Sequence, residues 1–580
     1  MRRARSGHSR LANLRRQLSH LDALPQLTLL GIVVGCAAAL VIIAFRVAVS
    51  APLTAMIGEV DNFERLSQNQ RFLVPAIGAL IIGIGLQLLP KHLLKVGVAH
   101  VLDRLHNHQG YLPWPNVLVQ FFGGVLLLIT GQSVGREGPA VHLGAGAASL
   151  VGQSLKLPNN SMRVLLGAGV AAAISAAFNT PLAGVVFAME VVLMEYTIAG
   201  FIPIILASFA GSLLSRLVLG PEVAFSIQTV QLNQLTELPY MVASGIALGA
   251  VAIAYSYSLQ LGRFVDKWPI VVRITLAGIF TGLVATQVPQ VLGIGYDTLA
   301  QAMTGQLSLQ LLLILLVSKI LTTGVSLSAG MPGGLIGPTL FIGGVAGAAL
   351  SVGSQWLYAE QASFVGFYVL LGMAAMLGAV LNAPLTALIT ILELTNNPNI
   401  IFPSMLVVVI ACLSTRIVVG NKGIFITLLG LQGKSVRSSA LSMELNRVGV
   451  YQVIDTDFVK TPFIVDFSKA VSLLEGKPRW LVLTEPDKPK KLLKAADLAK
   501  HLNELQEEEQ QPEEIHLIDI PGEKTPLPPI HEAATLWEAH EYMKTEATEA
   551  VYVKNPRQFS LDTEILGLVT KEAITNYYSV

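Results

Sequence analysis

The sequence has few charged residues for its length. Asp, Glu, Lys and Arg make up only 13% of its 580 residues, about half of the usual fraction in soluble domains. The last 140 residues hold 24 acidic and 15 basic side chains, whereas the first 440 hold 14 and 24. This composition excludes a simple soluble globule, a disordered chain and a nucleic-acid binder with a basic face. It predicts a positively charged membrane-embedded part followed by a soluble acidic part.

Cysteine is scarce as well. Cys36 and Cys412 lie far apart in apolar runs, which excludes a disulfide framework and a cysteine-based metal site. The sequence also contains no His-Glu-x-x-His motif and no phosphate-loop lysine motif. We therefore predict a protein that is not an enzyme, binds no metal and needs no cofactor. An intramembrane enzyme stays a remote alternative.

The first residues form a basic segment. Six arginines precede the first apolar run, which begins near Leu27: Arg2, Arg3, Arg5, Arg10, Arg15 and Arg16. The run starts too late and is too long for a cleaved signal peptide. Residues 1–26 are therefore predicted to be a retained arm on the cytoplasmic side of the membrane.

Eleven apolar runs follow and predict a multi-pass membrane domain over residues 27–437. Their approximate bounds are 27–57, 72–94, 116–135, 162–194, 199–219, 239–262, 270–286, 308–323, 339–356, 364–394 and 399–419. A helix needs about 20 residues to cross the hydrocarbon, so the runs near 30 predict tilted helices or two joined segments. Glycine and proline interrupt several runs, and broken helices are tolerated only where they line a cavity or are buried in protein.

Two motifs occur twice in this region. The repeated segments are Gly135-Arg-Glu-Gly-Pro139 with Gly334-Leu-Ile-Gly-Pro338, and Asn179-Thr-Pro-Leu182 with Asn382-Ala-Pro-Leu385; Glu190 and Glu393 each follow eight residues after the second motif. Paired, interrupted apolar segments predict a transporter with a site between two repeats, here about 27–219 and 239–430. The alternative is that the small residues only allow close helix packing.

The two Gly-Pro pairs predict an anion site. Each pair opens an apolar helix, and the first turn of a helix offers unpaired amides and a partial positive charge. Glu137 directly precedes Gly138-Pro139, so its carboxylate can compete with an anion when ionised and withdraw when protonated. We predict that Glu137 is a pH- and voltage-sensitive gate. The alternatives are a helix cap and a salt bridge to Arg136.

These motifs resemble those of the CLC family of voltage-gated chloride channels and chloride/proton antiporters. The resemblance spans about residues 30–430 and rests on the two repeated motifs and on Phe178 to Gly184 ahead of Glu190. It implies an all-α polytopic membrane fold of two inverted repeats with broken helices. It also implies a homodimer in a lipid bilayer, with one pathway for chloride or a similar small anion in each subunit.

The resemblance assigns the site residues. Glu137 matches the gating glutamate, and the anion-binding positions are Gly135, Arg136, Gly138, Leu335, Ile336, Val96 and Phe425. At two of them the family commonly has a hydroxyl, supplied by a serine where this chain has Val96 and by a tyrosine where it has Phe425. Either the central site is built from amides and apolar walls and binds chloride weakly, or the alignment at Val96 is shifted.

Val191 decides between two mechanisms. It occupies the position at which antiporters of the family commonly carry a proton-relaying glutamate. We therefore predict a passive, Glu137-gated chloride channel, with a chloride/proton antiporter as the alternative. Glu190 and Glu195 are the candidates to replace the missing acid. Glu190, however, has a counterpart in the other repeat, Glu393, which argues for a structural role.

Two further polar residues lie within the apolar part. His142, about one turn after Glu137, is either a tuner of the gate or a packed histidine. Lys319 adds positive potential to the pathway, snorkels to the interface or binds carbonyl groups.

The tail, residues 438–580, resembles a pair of CBS domains. Its predicted strands are Tyr451–Ile454, Trp480–Leu483, His516–Ile520, Ala550–Val553 and Ile565–Val569, and its predicted helices are Phe467–Leu474, Lys494–Leu505 and Ala533–Lys544. We predict a cytoplasmic regulatory module, and a nucleotide bound near Gly567 to Thr570 is the open alternative. Both termini are then cytoplasmic, in the cell membrane if the source is prokaryotic.

Overall fold

The computed structural model describes residues 17–18, 23–58, 61–220, 232–358, 362–436, 440–486, 488–508, 512–554 and 565–579. Most of the predicted N-terminal arm lies outside these residues. The chain divides into two compact units. The transport unit contains Leu27–Ser154 and Met162–Arg437, and the tail unit contains Met1–Gln26, Leu155–Ser161 and Ser438–Val580.

The transport unit is helical throughout its described part. Its α-helices are α1 Leu24–Ile57, α2 Gln68–Gln87, α3 Gly97–Asn107, α4 Trp114–Ile129, α5 Glu137–Leu155, α6 Asn159–Phe178, α7 Pro181–Phe187, α8 Ile198–Leu219, α9 Leu238–Ser258, α10 Ile270–Gln287, α11 Tyr296–Met303, α12 Leu309–Ser328, α13 Ile336–Tyr358, α14 Val365–Leu381, α15 Pro384–Thr395, α16 Ile401–Val419 and α17 Ile424–Leu431. A π-helical turn, Ala188–Leu193, extends α7. Within the described residues, eight helical segments are long and apolar enough to cross a membrane.

The two longest interior runs are each split into two helices, as their lengths predict. The first run turns at Asn179 and the second at Asn382, and both asparagines have a positive φ, of 60° and 56°. Asparagine tolerates this left-handed conformation better than most residues. Pro181 and Pro384 then start the next helix, where a missing amide proton costs nothing. The repeated Asn-x-Pro-Leu motif is therefore a helix–turn–helix corner that occurs twice.

The tail unit contains two small α/β units, in agreement with the sequence. Its strands are β1 Phe458–Thr461, β2 Ile464–Val465, β3 Trp480–Leu483, β4 Lys491–Lys494, β5 Ile515–His516, β6 Thr525–Pro526, β7 Pro529–His531, β8 Ala550–Lys554 and β9 Ile565–Thr570; its helices are α18 Ala440–Asn446, α19 Phe467–Glu475, α20 Ala495–Glu507, α21 Leu536–Thr545 and α22 Lys571–Ser579. The sheet orders are β1-β3-β4-β6, β2-β5 and β7-β8-β9. In both larger sheets a parallel pair, β1-β3 or β7-β8, is followed by an antiparallel pair, β3-β4 or β8-β9.

Two details of the tail differ from the predictions. Residues Val450–Gln452 form a 3-10 turn instead of the predicted strand at Tyr451. The predicted strand His516–Ile520 is also wrong for most of its length, because only Ile515–His516 forms a strand and residues 517–520 form a turn. Both errors come from very short elements, whose pairing depends on partners distant in sequence.

A short segment between α5 and α6 belongs to the tail unit, which the predicted boundary of 27–437 did not anticipate. The reason is a set of hydrogen bonds within that unit. The amide of Asn159 donates to the carbonyl of Ala533 at 2.9 Å, and its side chain donates to the carboxylate of Glu538 at 2.8 and 3.0 Å. The side chain of Asn160 donates to the carbonyl oxygen of Arg447 at 3.2 Å.

Candidate anion site

The two Gly-Pro breaks meet at the centre of the transport unit. Gly135 and Gly334 exchange two backbone hydrogen bonds, of 2.7 and 2.8 Å, and form an isolated antiparallel bridge. A Cβ atom on Gly334 would lie 2.5 Å from the amide nitrogen of Gly138. Glycine is needed here because only it lets the two helix starts approach this closely.

Glu137 links the two breaks through its side chain. It is only 1% exposed, and its Oε2 accepts a hydrogen bond of 3.0 Å from the amide of Gly337. A carboxylate of the first repeat thus lies at the N-terminus of α13 in the second repeat, where the unpaired amides favour negative charge. The sequence pointed to the amides at the start of α5, the helix that Glu137 begins. The structure adds the amide of Gly337 at the start of α13.

Arg136 does not form a salt bridge with Glu137 in the described part of the chain. Its guanidinium lies 5.0 Å from the ring centroid of Phe178 and 5.6 Å from that of Tyr296. Such cation–π contacts keep the positive charge close to the Glu137 carboxylate without a direct ion pair. Of the two structural alternatives for Glu137, the helix cap is therefore present and the salt bridge is not.

Tyr296 is a site residue that the sequence reasoning missed. Its hydroxyl lies 3.3 Å from Oε1 of Glu137, and it begins α11. The available signal was the pair Gly293 and Gly295 before it, both of which have a positive φ, of 60° and 84°. Two such glycines before a short helix mark a tightly turned segment.

A wide cavity of about 580 Å³ brings together residues from distant parts of the sequence. Five of the seven predicted anion-binding residues line it: Val96, Gly138, Leu335, Ile336 and Phe425. We call it the wide cavity. Its charged lining contains four cationic and two acidic residues apart from histidine: Lys95, Arg263, Arg273, Lys434, Asp103 and Asp266. The excess of positive charge attracts anions.

The two predicted hydroxyl positions both face this cavity. Val96 lies directly before α3, and Phe425 lies in α17. Neither side chain can donate a hydrogen bond. The amide of Gly97 is also occupied, because it donates to the Oε1 of Gln120 at 2.7 Å, and the Nε2 of Gln120 donates to the carbonyl of Pro332 at 2.7 Å. The buried Gln120 therefore joins the start of α3 to the second break, a link that the sequence did not predict.

Glu137 itself lines a second, small cavity. We call it the narrow cavity. Its volume is about 40 Å³, and Glu137, Thr180, Thr386 and Thr390 are its polar lining residues among mostly apolar ones. A water molecule needs about 10–15 Å³ and at least two polar partners. The cavity therefore has room for a water molecule next to Glu137, although almost all of its exposed wall is apolar.

Glu190 and Glu393 make matching contacts in opposite repeats. Glu190 accepts hydrogen bonds from the amides of Leu385 and Thr386, at 3.2 and 2.7 Å, and from the Thr386 hydroxyl at 2.6 Å. Glu393 accepts from the amides of Leu182 and Ala183, at 2.9 and 2.7 Å. Each acid caps the helix that follows the Asn-x-Pro-Leu corner of the other repeat, as the structural interpretation of Glu190 expected.

Val191 lies beside Glu190 in the π-helical turn and is buried. Its side chain cannot carry a proton. The residue before it is Glu190, whose carboxylate accepts a hydrogen bond from the hydroxyl of Thr386. Thr386 lines the narrow cavity.

His142 and Lys319 have structural partners. The Nε2 of His142 lies 2.9 Å from the Nδ1 of His100, and both rings are buried. The ammonium of Lys319 donates to the carbonyls of Val291 and Gly293, at 3.0 and 2.8 Å. His142 is thus a packed histidine, and Lys319 binds carbonyl groups of the loop that leads to Tyr296.

The sequence contains one match to a serine-hydrolase motif. Gly131 to Gly135 reads Gly-Gln-Ser-Val-Gly, which fits the Gly-x-Ser-x-Gly pattern of some hydrolases. Ser133 is fully buried, and its hydroxyl lies 3.0 Å from those of Thr322 and Thr323. These contacts give the serine a packing role and provide no base to activate it.

A family model described as voltage gated chloride channel matches residues 78–416. This match covers more than half of the chain, so the chain belongs to the voltage-gated chloride channel family, the CLC family. It is an integral, multi-pass membrane protein of a family that transports anions.

Two curated relatives and one solved structure extend the comparison. A ClcB-like chloride channel protein of Ralstonia nicotianae is 29% identical over 384 residues, which cover 64% of this chain and 90% of the relative. The H(+)/Cl(-) exchange transporter ClcA of Vibrio cholerae is 29% identical over 300 residues, which cover 50% of this chain and 64% of the relative. The X-ray structure of a slow cyanobacterial Cl-/H+ antiporter superposes with a TM-score of 0.64 at 22% identity, over 71% of this chain and 99% of that one. The last similarity establishes the fold alone.

Proposed function

We propose that the protein exchanges chloride for protons and that Glu137 is the group shared by both ions. The observation that carries this proposal is the position of its carboxylate. It is buried at the start of α13, and it lines the narrow cavity, while Gly138 and Ile336 beside it line the wide cavity. A single group that releases an anion site when it takes up a proton couples the two movements.

This proposal reverses the preference for a passive channel that followed from Val191. Relatives named as chloride/proton exchangers support it. We also assign the narrow cavity to the proton, because Glu137 lines it and it has room for a water molecule. The wide cavity, with its excess of cations, is the route that we assign to chloride.

The proton route that we propose ends at Glu190. Thr386 lines the narrow cavity, and its hydroxyl donates to Glu190 at 2.6 Å. The proposed path therefore leads from Glu137 past Thr386 towards a second carboxylate, one position before Val191. Glu190 then has two roles, the cap of α15 and the far end of the proton path.

The test is transport by the purified full chain in proteoliposomes. A chloride gradient is imposed at a clamped membrane potential, and proton movement is followed with a pH-sensitive dye. The proposal expects protons to move uphill and the current to reverse away from the chloride equilibrium potential. Reversal at the chloride equilibrium potential without proton movement would establish the channel instead.

The variant Glu137→Ala is the matched control for this test. It should conduct chloride without moving protons, because the anion route stays open and the shared proton acceptor is lost. If the variant still moves protons uphill, Glu137 is not the shared group.

The homodimer, the cytoplasmic position of both termini and the CBS-like regulatory role of the tail stay predictions.

A nucleotide site in the tail also stays a prediction, and one contact bears on it. The hydroxyl of Thr570 accepts a hydrogen bond of 3.1 Å from the amide of Ala573. The only hydroxyl in the segment from Gly567 to Thr570 therefore caps the start of α22.

A further inference from the structure

The hydroxyl of Tyr296 is the side-chain donor to Glu137, and it belongs to neither repeated motif. It contacts Oε1 at 3.3 Å, while the Gly337 amide contacts Oε2 at 3.0 Å. The two carboxylate oxygens thus have separate donors. The amide is part of the backbone of α13, whereas the hydroxyl can be removed by a single conservative substitution.

The loop before Tyr296 is anchored on both sides. The amide of Gly293 donates to the carbonyl of Gly131 at 3.3 Å. The ammonium of Lys319 holds the carbonyls of Val291 and Gly293. Because this loop is fixed, Tyr296 approaches Glu137 from a defined position.

We propose that Tyr296 is a positioning residue that latches Glu137 in the closed position, an inference that rests on the proposed gating role of Glu137. The hydroxyl stabilises the ionised carboxylate at the start of α13. Protonation of Glu137 weakens this hydrogen bond, and the side chain then leaves the site. The latch therefore sets how readily the gate opens at a given pH.

The charged and titratable groups that act on this contact are unchanged by a Tyr296→Phe substitution. Around Glu137 and Tyr296 they are Arg136, Asp61 and Tyr255, followed by Lys319 and Asp297 near Asp61. The phenylalanine ring also keeps the face that Arg136 contacts. A shift in the pH profile of this variant therefore reports the loss of the hydroxyl.

The experiment measures chloride efflux from proteoliposomes across the acidic to neutral pH range. A hydrogen bond to a charged acceptor is strong enough that Tyr296→Phe should speed efflux at neutral pH about tenfold. The pH of half-maximal efflux should rise, because the ionised, closed form is stabilised less. In the Glu137→Gln background the same substitution should have almost no effect, since the ionised acceptor is already gone.

The control is Tyr240→Phe, which removes a hydroxyl that donates to the carbonyl of Leu350 at 2.6 Å. It should leave the pH profile unchanged. Wild-type efflux and pH profile in Tyr296→Phe would overturn the latch, and so would an undiminished effect of the substitution in the Glu137→Gln background. If Glu137→Gln alone leaves efflux unchanged, the gating role of Glu137 fails as well. Neither result depends on whether transport is coupled to protons.

Discussion

The carboxylate of Glu137 and the amide of Gly337 lie 3.0 Å apart, although 200 residues separate them in the sequence. This contact joins the two repeats at their broken helices. A negative side chain occupies the position at which the helix N-terminus attracts an anion. If Glu137 has the proposed gating role, closing the pathway and binding the anion are competing uses of the same amides.

The first prediction concerns the charge of Glu137. Glu137→Gln keeps the shape of the side chain but removes the charge, so it should raise chloride efflux at neutral pH and flatten the dependence of efflux on pH. The measurement is efflux from liposomes over a pH series. Glu237→Gln is a suitable control, since Glu237 is also fully buried but accepts hydrogen bonds from Ser363 and Tyr368 outside both cavities. An unchanged pH profile in Glu137→Gln would contradict its gating role.

The second prediction separates the two roles of Glu190. Glu190→Gln and Glu393→Gln each weaken one cap of the same kind, because both acids bind the first amides of a helix. Of these two acids, only Glu190 accepts a hydrogen bond from a threonine hydroxyl of a residue that lines the narrow cavity, Thr386. We expect Glu190→Gln to lower the ratio of protons to chloride transported and Glu393→Gln to leave this ratio unchanged. Equal ratios in the two variants would assign Glu190 to capping alone.

The third prediction concerns the close approach of the two breaks. Gly334→Ala should lower the thermal stability of the purified protein markedly, because its Cβ would lie 2.5 Å from the Gly138 amide nitrogen and overpacking costs about 1–3 kcal/mol. Gly85→Ala is the control, since nothing lies within 4 Å of its Cβ position. The melting temperature, followed by size-exclusion chromatography after heating, measures both. A tolerated Gly334→Ala would show that the bridge is not tightly packed.

Most of the predicted helix starts and breaks came from short local motifs. Gly135 to Pro139 and its repeat predicted the helix starts, and the long apolar runs interrupted by Pro181 and Pro384 predicted tilted helices or two joined segments. Each of these is a backbone preference that depends on a few neighbouring residues. Five of the seven predicted anion-binding residues therefore line one cavity.

Contacts between distant side chains were not predictable in the same way. The pairing of Glu137 with Tyr296, and the bridge from Gly97 through Gln120 to Pro332, depend on how the helices pack. No periodicity or motif encodes such a contact, because each partner lies on a different helix or loop. The preference for a channel came from Val191 and from reading Glu190 as structural because of its counterpart Glu393.

The last prediction restores the hydroxyl groups of the wide cavity. Val96 and Phe425 both line it, and Val96→Ser or Phe425→Tyr adds a donor without adding charge. A hydrogen bond to a charged ligand is worth about 1.5–3 kcal/mol, so each variant should bind chloride at least about tenfold more tightly in isothermal titration calorimetry. Leu428→Met, which changes the same wall without adding a donor, should bind chloride as the wild type does. Tighter binding should also slow efflux, since an anion held more strongly leaves the site more slowly. Unchanged affinity in both hydroxyl variants would place the central anion site away from Val96 and Phe425.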